Sequence, residues 1–247
     1  GSGGKNNSFD GDIDDVRIYN RALSEEEVRY HYNQGKPVGY WAFDEGEGTR
    51  AFDASGNNNT GVLTNGPTWA QGKHGSALSF DGVDDYVNAG NKSSLNITNA
   101  VTIGAWIKLA AIPNNPYSTI ISKGNGTTTS YWMDIRSGGY ILFGGYTSGG
   151  KDCYQNTGLK ITNANQWYHI VGTYDQMASK VYIDGQLVAS VAKTCLLRTN
   201  NDNVTIGARL NSHFFNGYLD EVKVYNYART AEQIMQDYNA GVAAHLK

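Results

Sequence analysis

The chain has 247 residues, 17% of them charged and 40% hydrophobic, with 30 glycines, 17 tyrosines and a formal net charge of −3. That length suits one large all-β domain or two small ones, and a Gly- and Tyr-rich, charge-poor composition is that of a turn-rich β protein. The chain has no apolar run near the 18 or so residues of a membrane span, no basic-then-apolar leader, and no excess of its 20 basic over its 23 acidic side chains, so neither membrane insertion nor nucleic-acid binding is expected.

The charge is unevenly placed. Residues 1–35 carry four basic and seven acidic side chains, whereas residues 36–247 carry sixteen of each. The first segment is also a repeat. Phe9 to Gly35 slides by 206 positions onto Phe215 to Gly241, with 11 of 27 positions identical and most others alike, such as Ile13 with Leu219, Arg17 with Lys223 and Val28 with Ile234. In the same register Gly1 falls on Gly207, so Gly1-Ser-Gly-Gly is either a linker or, as we favour, the loop after a strand.

Each copy predicts one strand and one helix. Ile13, Asp15, Arg17 and Tyr19 alternate with Asp14, Val16 and Ile18, a strand-like period of two. Ser24 with Glu27, and Thr230 with Gln233, are capping boxes, and Gly35 or Gly241 supplies a residue to end the helix. The offset gives one complete unit over 36–241, preceded by 35 residues of another and followed by a tail at 242–247, which is the pattern of a tandem array.

Between the copies, β-rich runs alternate with turn signals at 39–43, 77–80, 85–89, 101–109, 119–122, 131–136, 140–146, 167–174, 180–184, 186–190, 203–207 and 218–225. Asp184-Gly185, between Val181-Tyr-Ile and Leu187-Val-Ala, is a strong hairpin signal. About a dozen strands with short peripheral helices fit an all-β, antiparallel two-sheet sandwich.

Gly39-Tyr-Trp-Ala-Phe-Asp-Glu-Gly-Glu-Gly-Thr, Asp53-Ala-Ser-Gly-Asn-Asn-Asn-Thr-Gly61, Ala77-Leu-Ser-Phe-Asp-Gly-Val-Asp-Asp-Tyr-Val87, Trp167-Tyr-His-Ile-Val-Gly-Thr-Tyr-Asp175 and Gly217-Tyr-Leu-Asp-Glu-Val-Lys-Val-Tyr-Asn226 follow one another in order. Together they resemble the concanavalin A-like, laminin G-like jelly rolls of bacterial and archaeal surface proteins. The resemblance implies a jelly-roll sandwich over 36–241 at the cell surface or outside the cell. It leaves open glycan binding, adhesion and passive spacing.

Some relatives of this fold are glycoside hydrolases that resemble one another in a Glu-x-Asp-x-x-Glu strand, a string absent here. The pairs Asp14/Asp15, Asp84/Asp85 and Asp220/Glu221 are neighbours in sequence, so on a regular strand they point to opposite faces. No enzyme is expected. Calcium takes six to eight oxygen ligands, of the kind that Asp53, Asn57 and Asn59 offer in their Gly-containing loop. The resemblance brings the first and last strands together, and with them Asp44 and Asp220 toward that loop, as a structural calcium site. The alternative is that these side chains cap turns through their own backbone, and Asp81 and Asp84 pose the same choice.

Cys153 and Cys195, 42 residues apart, either form a disulfide, which fits an extracellular protein, or are free thiols. For a glycan the candidates are Tyr131, Asp134, Arg136, Tyr140, Tyr146 and Tyr154, with Arg209, Asn211 and His213 from a later loop. Sugar rings stack on aromatic faces while charged and amide groups bind their hydroxyls. Trp41, Trp106, Trp132 and Trp167 sit in strands of the sort that fill a core, and His169 reads as a packed strand residue. The Asn-x-Ser/Thr strings at Asn6, Asn58, Asn91, Asn96, Asn125 and Asn203 are expected by accident in so Asn-rich a chain.

A severed strand exposes Ile13, Val16, Ile18, Val28 and Tyr32 unless something covers them. Residues 1–35 therefore dock on their own module or complete a sheet elsewhere. Two functions follow: a non-catalytic carbohydrate-binding or adhesion module, or a structural repeat assembled by strand donation.

Overall fold

Sixteen strands, two α-helices and three short 3-10 turns make up the computed structural model, which describes residues 9, 11–14, 16–150, 152, 153, 155–209 and 212–243. In chain order they are α1 (Glu25–Tyr32), β1 (Gly39–Trp41), β2 (Arg50–Ala51), β3 (Gly61–Thr64), β4 (Thr68–Gln71), β5 (Ser76–Asp81), β6 (Tyr86–Gly90), β7 (Val101–Leu109) and β8 (Ser118–Lys123). Then come β9 (Tyr131–Arg136), β10 (Tyr140–Gly145), β11 (Gln155–Lys160), β12 (Trp167–Tyr174), β13 (Ala178–Ile183), β14 (Gln186–Ala192), β15 (Val204–Ile206), β16 (Asn216–Tyr225) and α2 (Ala231–Ala243). The first sheet runs β14-β13-β12-β7-β16-β5-β4, with β1 also on β16, and the second runs β11-β10-β9-β8-β15-β6-β3-β2. Every pairing is antiparallel, so the expected jelly-roll sandwich is the fold.

The core lies between the sheets, where Ile103 and Ile107 of β7 and Leu219, Val222 and Val224 of β16 meet Ile121, Met133, Ile135, Phe143 and Ile206. Strict alternation cannot put Leu219 and Val222 on one face, since they are three residues apart. A bulge resolves this. The β16–β7 register shifts between Asp220 and Lys223, and Glu221 has φ of 54°, so one extra residue resets the phase. The alternation expected for Asp220 and Glu221 therefore does not hold. The Asp184-Gly185 turn, with φ of 49° and 77°, joins β13 to β14 as expected.

Three short strands, β2, β3 and β4, and the six-residue β11 lack the β-rich alternation that marks the others in sequence. Helix α2 runs through Gly241, which therefore does not terminate it. Its Ile234 packs with Val171 and Tyr182 on the outer face of the first sheet, and Tyr238 stacks on Trp106 at 5.7 Å. Trp106 is thus buried under a helix and not between the sheets.

Cys153 and Cys195 are disulfide-bonded, with Cα atoms 6.5 Å apart. The bond ties the loop after β10 to the loop after β14, and the Tyr174 hydroxyl braces it by accepting from the Cys195 amide at 2.7 Å. Loop-closure entropy for 42 residues predicts that Cys153→Ser with Cys195→Ser lowers unfolding free energy by about 3–4 kcal/mol, a loss that urea titration measures. A loss under about 1 kcal/mol would mean that the loops are held by packing alone.

In the first repeat copy the helix forms and the strand does not. Both capping-box bonds of α1 are present, Glu27 amide to Ser24 Oγ at 3.2 Å and Ser24 amide to Glu27 carboxylate at 2.9 Å. The described residues between 11 and 24 are in no strand, because the place their sequence is suited to is already filled by β16. The Gly1-Ser-Gly-Gly stretch lies outside the described residues.

Candidate functional site

Strand β9 sets the site by alternation. Tyr131, Met133 and Ile135 face the core, so Trp132, Asp134 and Arg136 face outward from the second sheet. Tyr131 is fully buried and donates its hydroxyl to the Leu95 carbonyl at 3.1 Å, and burial pushes its phenol pKa up. It is a core residue and cannot touch a ligand. Tyr131 and Asp134 differ in parity, a signal that already separates them in sequence.

Asp134 is fully buried and is the partner of Arg209 in an ion pair, while Thr119 Oγ1 donates to its other oxygen at 2.7 Å. Burial raises the Asp134 pKa and the Arg209 guanidinium opposes the rise. Arg209 lies over the Trp132 ring at 4.7 Å, and Tyr146 meets the same ring at 4.9 Å. Asp134 and Arg209 therefore neutralise each other and form the floor of the face, although Arg209 Nε is buried without a hydrogen-bond partner. They are not free ligand contacts.

Above this floor runs a row of alternating rings and cations. Lys160 Nζ is 5.8 Å from the Tyr140 ring, and Tyr140 is the cross-strand partner of Arg136. The Arg136 guanidinium lies 4.7 Å from the Tyr117 ring, which contacts His213 at 4.4 Å. Tyr140 is exposed, and Tyr117, Arg136, Tyr146 and His213 are half-buried. The Arg136 Nε and His213 Nδ1 atoms are buried without a hydrogen-bond partner. Burial and the nearby Arg209 lower the His213 pKa, so its ring is neutral at pH 7. Neither Arg136 nor Lys160 is in an ion pair with a carboxylate among the described residues. Tyr117 was not marked by the sequence, because nothing local links it to Arg136. Tyr154 and Asn211 lie outside the described residues.

The expected calcium ligands separate into two groups. Asp53 accepts from the amides of Tyr40, Ser55 and Asn59, from Ser55 Oγ and from Asn59 Nδ2, all between 2.8 and 2.9 Å. Asn57 and Asn59 donate to the Val38 carbonyl. Donors thus occupy the lone pairs that a cation needs, and the loop is a hydrogen-bonded turn. Asp44 accepts from the Ser76 amide at the start of β5, and Asp220 from the His74 amide in the loop between β4 and β5. Asp44, Asp53 and Asp220 do not gather: among the described residues, only Asp81, Asp84 and Asp85 place three such ligand atoms within 4.8 Å of one another. There Asp81 and Asp85 accept backbone amides of their own turn. The Asp53 carboxylate is therefore filled by its own loop, while the Asp81–Asp85 turn brings three carboxylates together.

A cavity of about 270 Å³ lies under α2 on the other sheet, lined by His74, Trp106, His169, Glu221, Lys223 and Arg229 among others. Its charges are paired internally, Lys223 with Glu221 at 2.6 Å and Arg229 with Asp237 at 2.9 Å, so it reads as a polar seam beneath the helix. His169 is packed 5.1 Å from Trp106, and burial pushes its pKa down to about 3.

The sequence family described as the concanavalin A-like lectin/glucanases superfamily matches residues 1–29 and 81–235. The chain belongs to this superfamily. The two matched stretches end 206 residues apart, which is the shift of the internal repeat. No curated protein is significantly similar in sequence. Among solved structures, the chain resembles the binding domain of Paraclostridial Mosquitocidal Protein 1, at TM-score 0.70 and 17% identity over 84% of this chain and 53% of that one. It resembles domain 4 of an extracellular arabinanase from Geobacillus stearothermophilus, solved in complex with arabinotriose, at TM-score 0.65 and 21% identity over 81% and 97%. The botulinum neurotoxin serotype G binding domain gives TM-score 0.68 and 12% identity over 83% and 51%. The chain thus spans about half of the two toxin domains and nearly all of the arabinanase module, and at these identities the likeness is one of superfamily fold.

Proposed function

We propose that the module is a non-catalytic, extracellular glycan-binding domain that uses the outer face of the second sheet and favours glycans bearing an acidic group. The observation that carries this is the row Lys160, Tyr140, Arg136, Tyr117 and His213, in which aromatic faces alternate with nitrogen groups over a buried, neutralised floor. Rings supply the stacking surface that a sugar needs. Arg136 and Lys160, unpaired with any carboxylate among the described residues, supply the charge for a uronate, sialate or sulfate. The likeness to an arabinotriose-bound module supports a glycan, and the toxin binding domains support a surface ligand. The disulfide supports an oxidising, extracellular setting.

Calorimetric titration with arabinotriose and with uronate- and sialate-bearing oligosaccharides tests this. Binding of an acidic member is expected, weakened about tenfold or more by Tyr140→Ala or Arg136→Ala, a loss of about 1.4 kcal/mol. Tyr131→Phe, altered only in the core, leaves affinity unchanged. No binding across the panel at millimolar sugar would overturn the proposal.

A further inference from the structure

The two repeat copies have opposite fates, and the contrast identifies what the first one is for. In the second copy Leu219, Val222 and Val224 are all 0% exposed in the centre of the first sheet, and Ile234 is buried under α2. Their counterparts Ile13, Val16, Ile18 and Val28 are 62%, 73%, 95% and 53% exposed. Tyr238 stacks on Trp106, while its counterpart Tyr32 is 86% exposed. The same apolar pattern is thus a core strand and helix in one place and uncovered in the other.

We infer that residues 11–32 are the closing strand and helix of another jelly roll of the same superfamily, one that lacks its own last strand and directly precedes this module. Strand β16 is central in its sheet, paired with β7, β5 and β1, so a module without its equivalent cannot close. A second copy of this chain is a poor occupant because its own β16 fills that slot. The family match to residues 1–29, ending at the position equivalent to 235, supports the same placement independently of exposure.

The junction is built without a flexible linker. Tyr30 packs edge-on against Tyr227 at 5.6 Å, Asn33 Nδ2 donates to Asn226 Oδ1, and the Tyr227 hydroxyl donates to the Gly35 carbonyl at 2.9 Å. Three residues on, the Val38 amide bonds to the Val224 carbonyl and β1 begins. The helix that closes one module is therefore seated on the final strand region of the next. This inference does not depend on the glycan site.

The test is a polypeptide in which residues 36–206 precede the full chain, so that residues 1–35 fall where 207–241 would. Amide hydrogen exchange at residues 13–19 is compared with that of the 247-residue chain alone. We expect fast exchange in the chain alone and exchange slower by about a thousandfold or more in the tandem form, the protection of a core strand. Equal, fast exchange in both would overturn the inference. A control tandem in which residues 9–35 carry the sequence of 215–241 guards against an incompatible junction. Protection in the control but not in the native form shows that the first copy is no closing strand, which overturns the inference. Slow exchange already in the chain alone would assign the segment to docking on its own module, and protection that rises with concentration would assign it to a second copy; either outcome overturns the inference.

Discussion

Arg209→Met is expected to lower the free energy of unfolding by about 3–5 kcal/mol, because it leaves the fully buried Asp134 carboxylate without its counter-charge. Thr119 Oγ1 remains as its hydrogen-bond donor and replaces little of an ion pair. Met refills much of the space over Trp132, so the loss is electrostatic more than a cavity effect. The double variant Asp134→Leu with Arg209→Met is expected to recover most of the stability, since an apolar pair of similar volume needs no desolvated charge. Urea denaturation of the wild type, both single variants and the double variant yields the coupling energy directly. A cost below about 1 kcal/mol for Arg209→Met would mean that water reaches Asp134.

Two buried groups with opposite shifts predict a paired pH experiment. His169, held at a pKa of about 3 by burial and by neighbouring Lys223 and Arg229, is neutral in the folded chain where the unfolded chain would take a proton. Its contribution is complete above pH 6.5 and is lost as pH falls toward 3, at about 1.4 kcal/mol per pH unit. Asp220 is pushed up to about 7 by burial and then by Glu221 and Asp44, with the His74 amide opposing the shift, and its Oδ1 has no hydrogen-bond partner. As a raised carboxyl it favours the fold most below about pH 4 and loses that advantage as pH rises toward 7.

Difference curves against the wild type isolate each group. His169→Asn should gain relative stability as pH falls from 6.5 to 3, by up to about 5 kcal/mol, and Asp220→Asn should gain as pH rises from 4 to 7, by up to about 4 kcal/mol. Chemical denaturation across pH 3–8 reads both. A flat difference curve for either variant would mean that the group's folded-state pKa lies at its unfolded value.

Twelve β-rich runs and both capping boxes were legible because their signals are local. A period of two, a Ser–Glu spacing of three and an Asp-Gly turn each act within a few residues. Short edge strands such as β2 and β4 were not legible, since two to four residues carry too little pattern. Of the proposed site, Arg136, Tyr140, Tyr146 and His213 are marked in the sequence by residue type. Residue type alone puts Tyr131 on the ligand face, whereas the parity of strand 131–136 puts it in the core and carries Trp132 from the core to the floor of the site.

What the sequence determined by itself is the superfamily fold and the 206-residue repeat, both written in short-range pattern and in similarity between distant segments. Only the tertiary structure decided which residues are used up. Asp134 and Arg209, 75 positions apart, cancel each other, Asp53 is saturated by its own loop, and one repeat copy is buried while the other is bare. The physical reason is that a side chain's chemistry is settled by its partner. Partners here are chosen by strand order across two sheets, which no local pattern encodes.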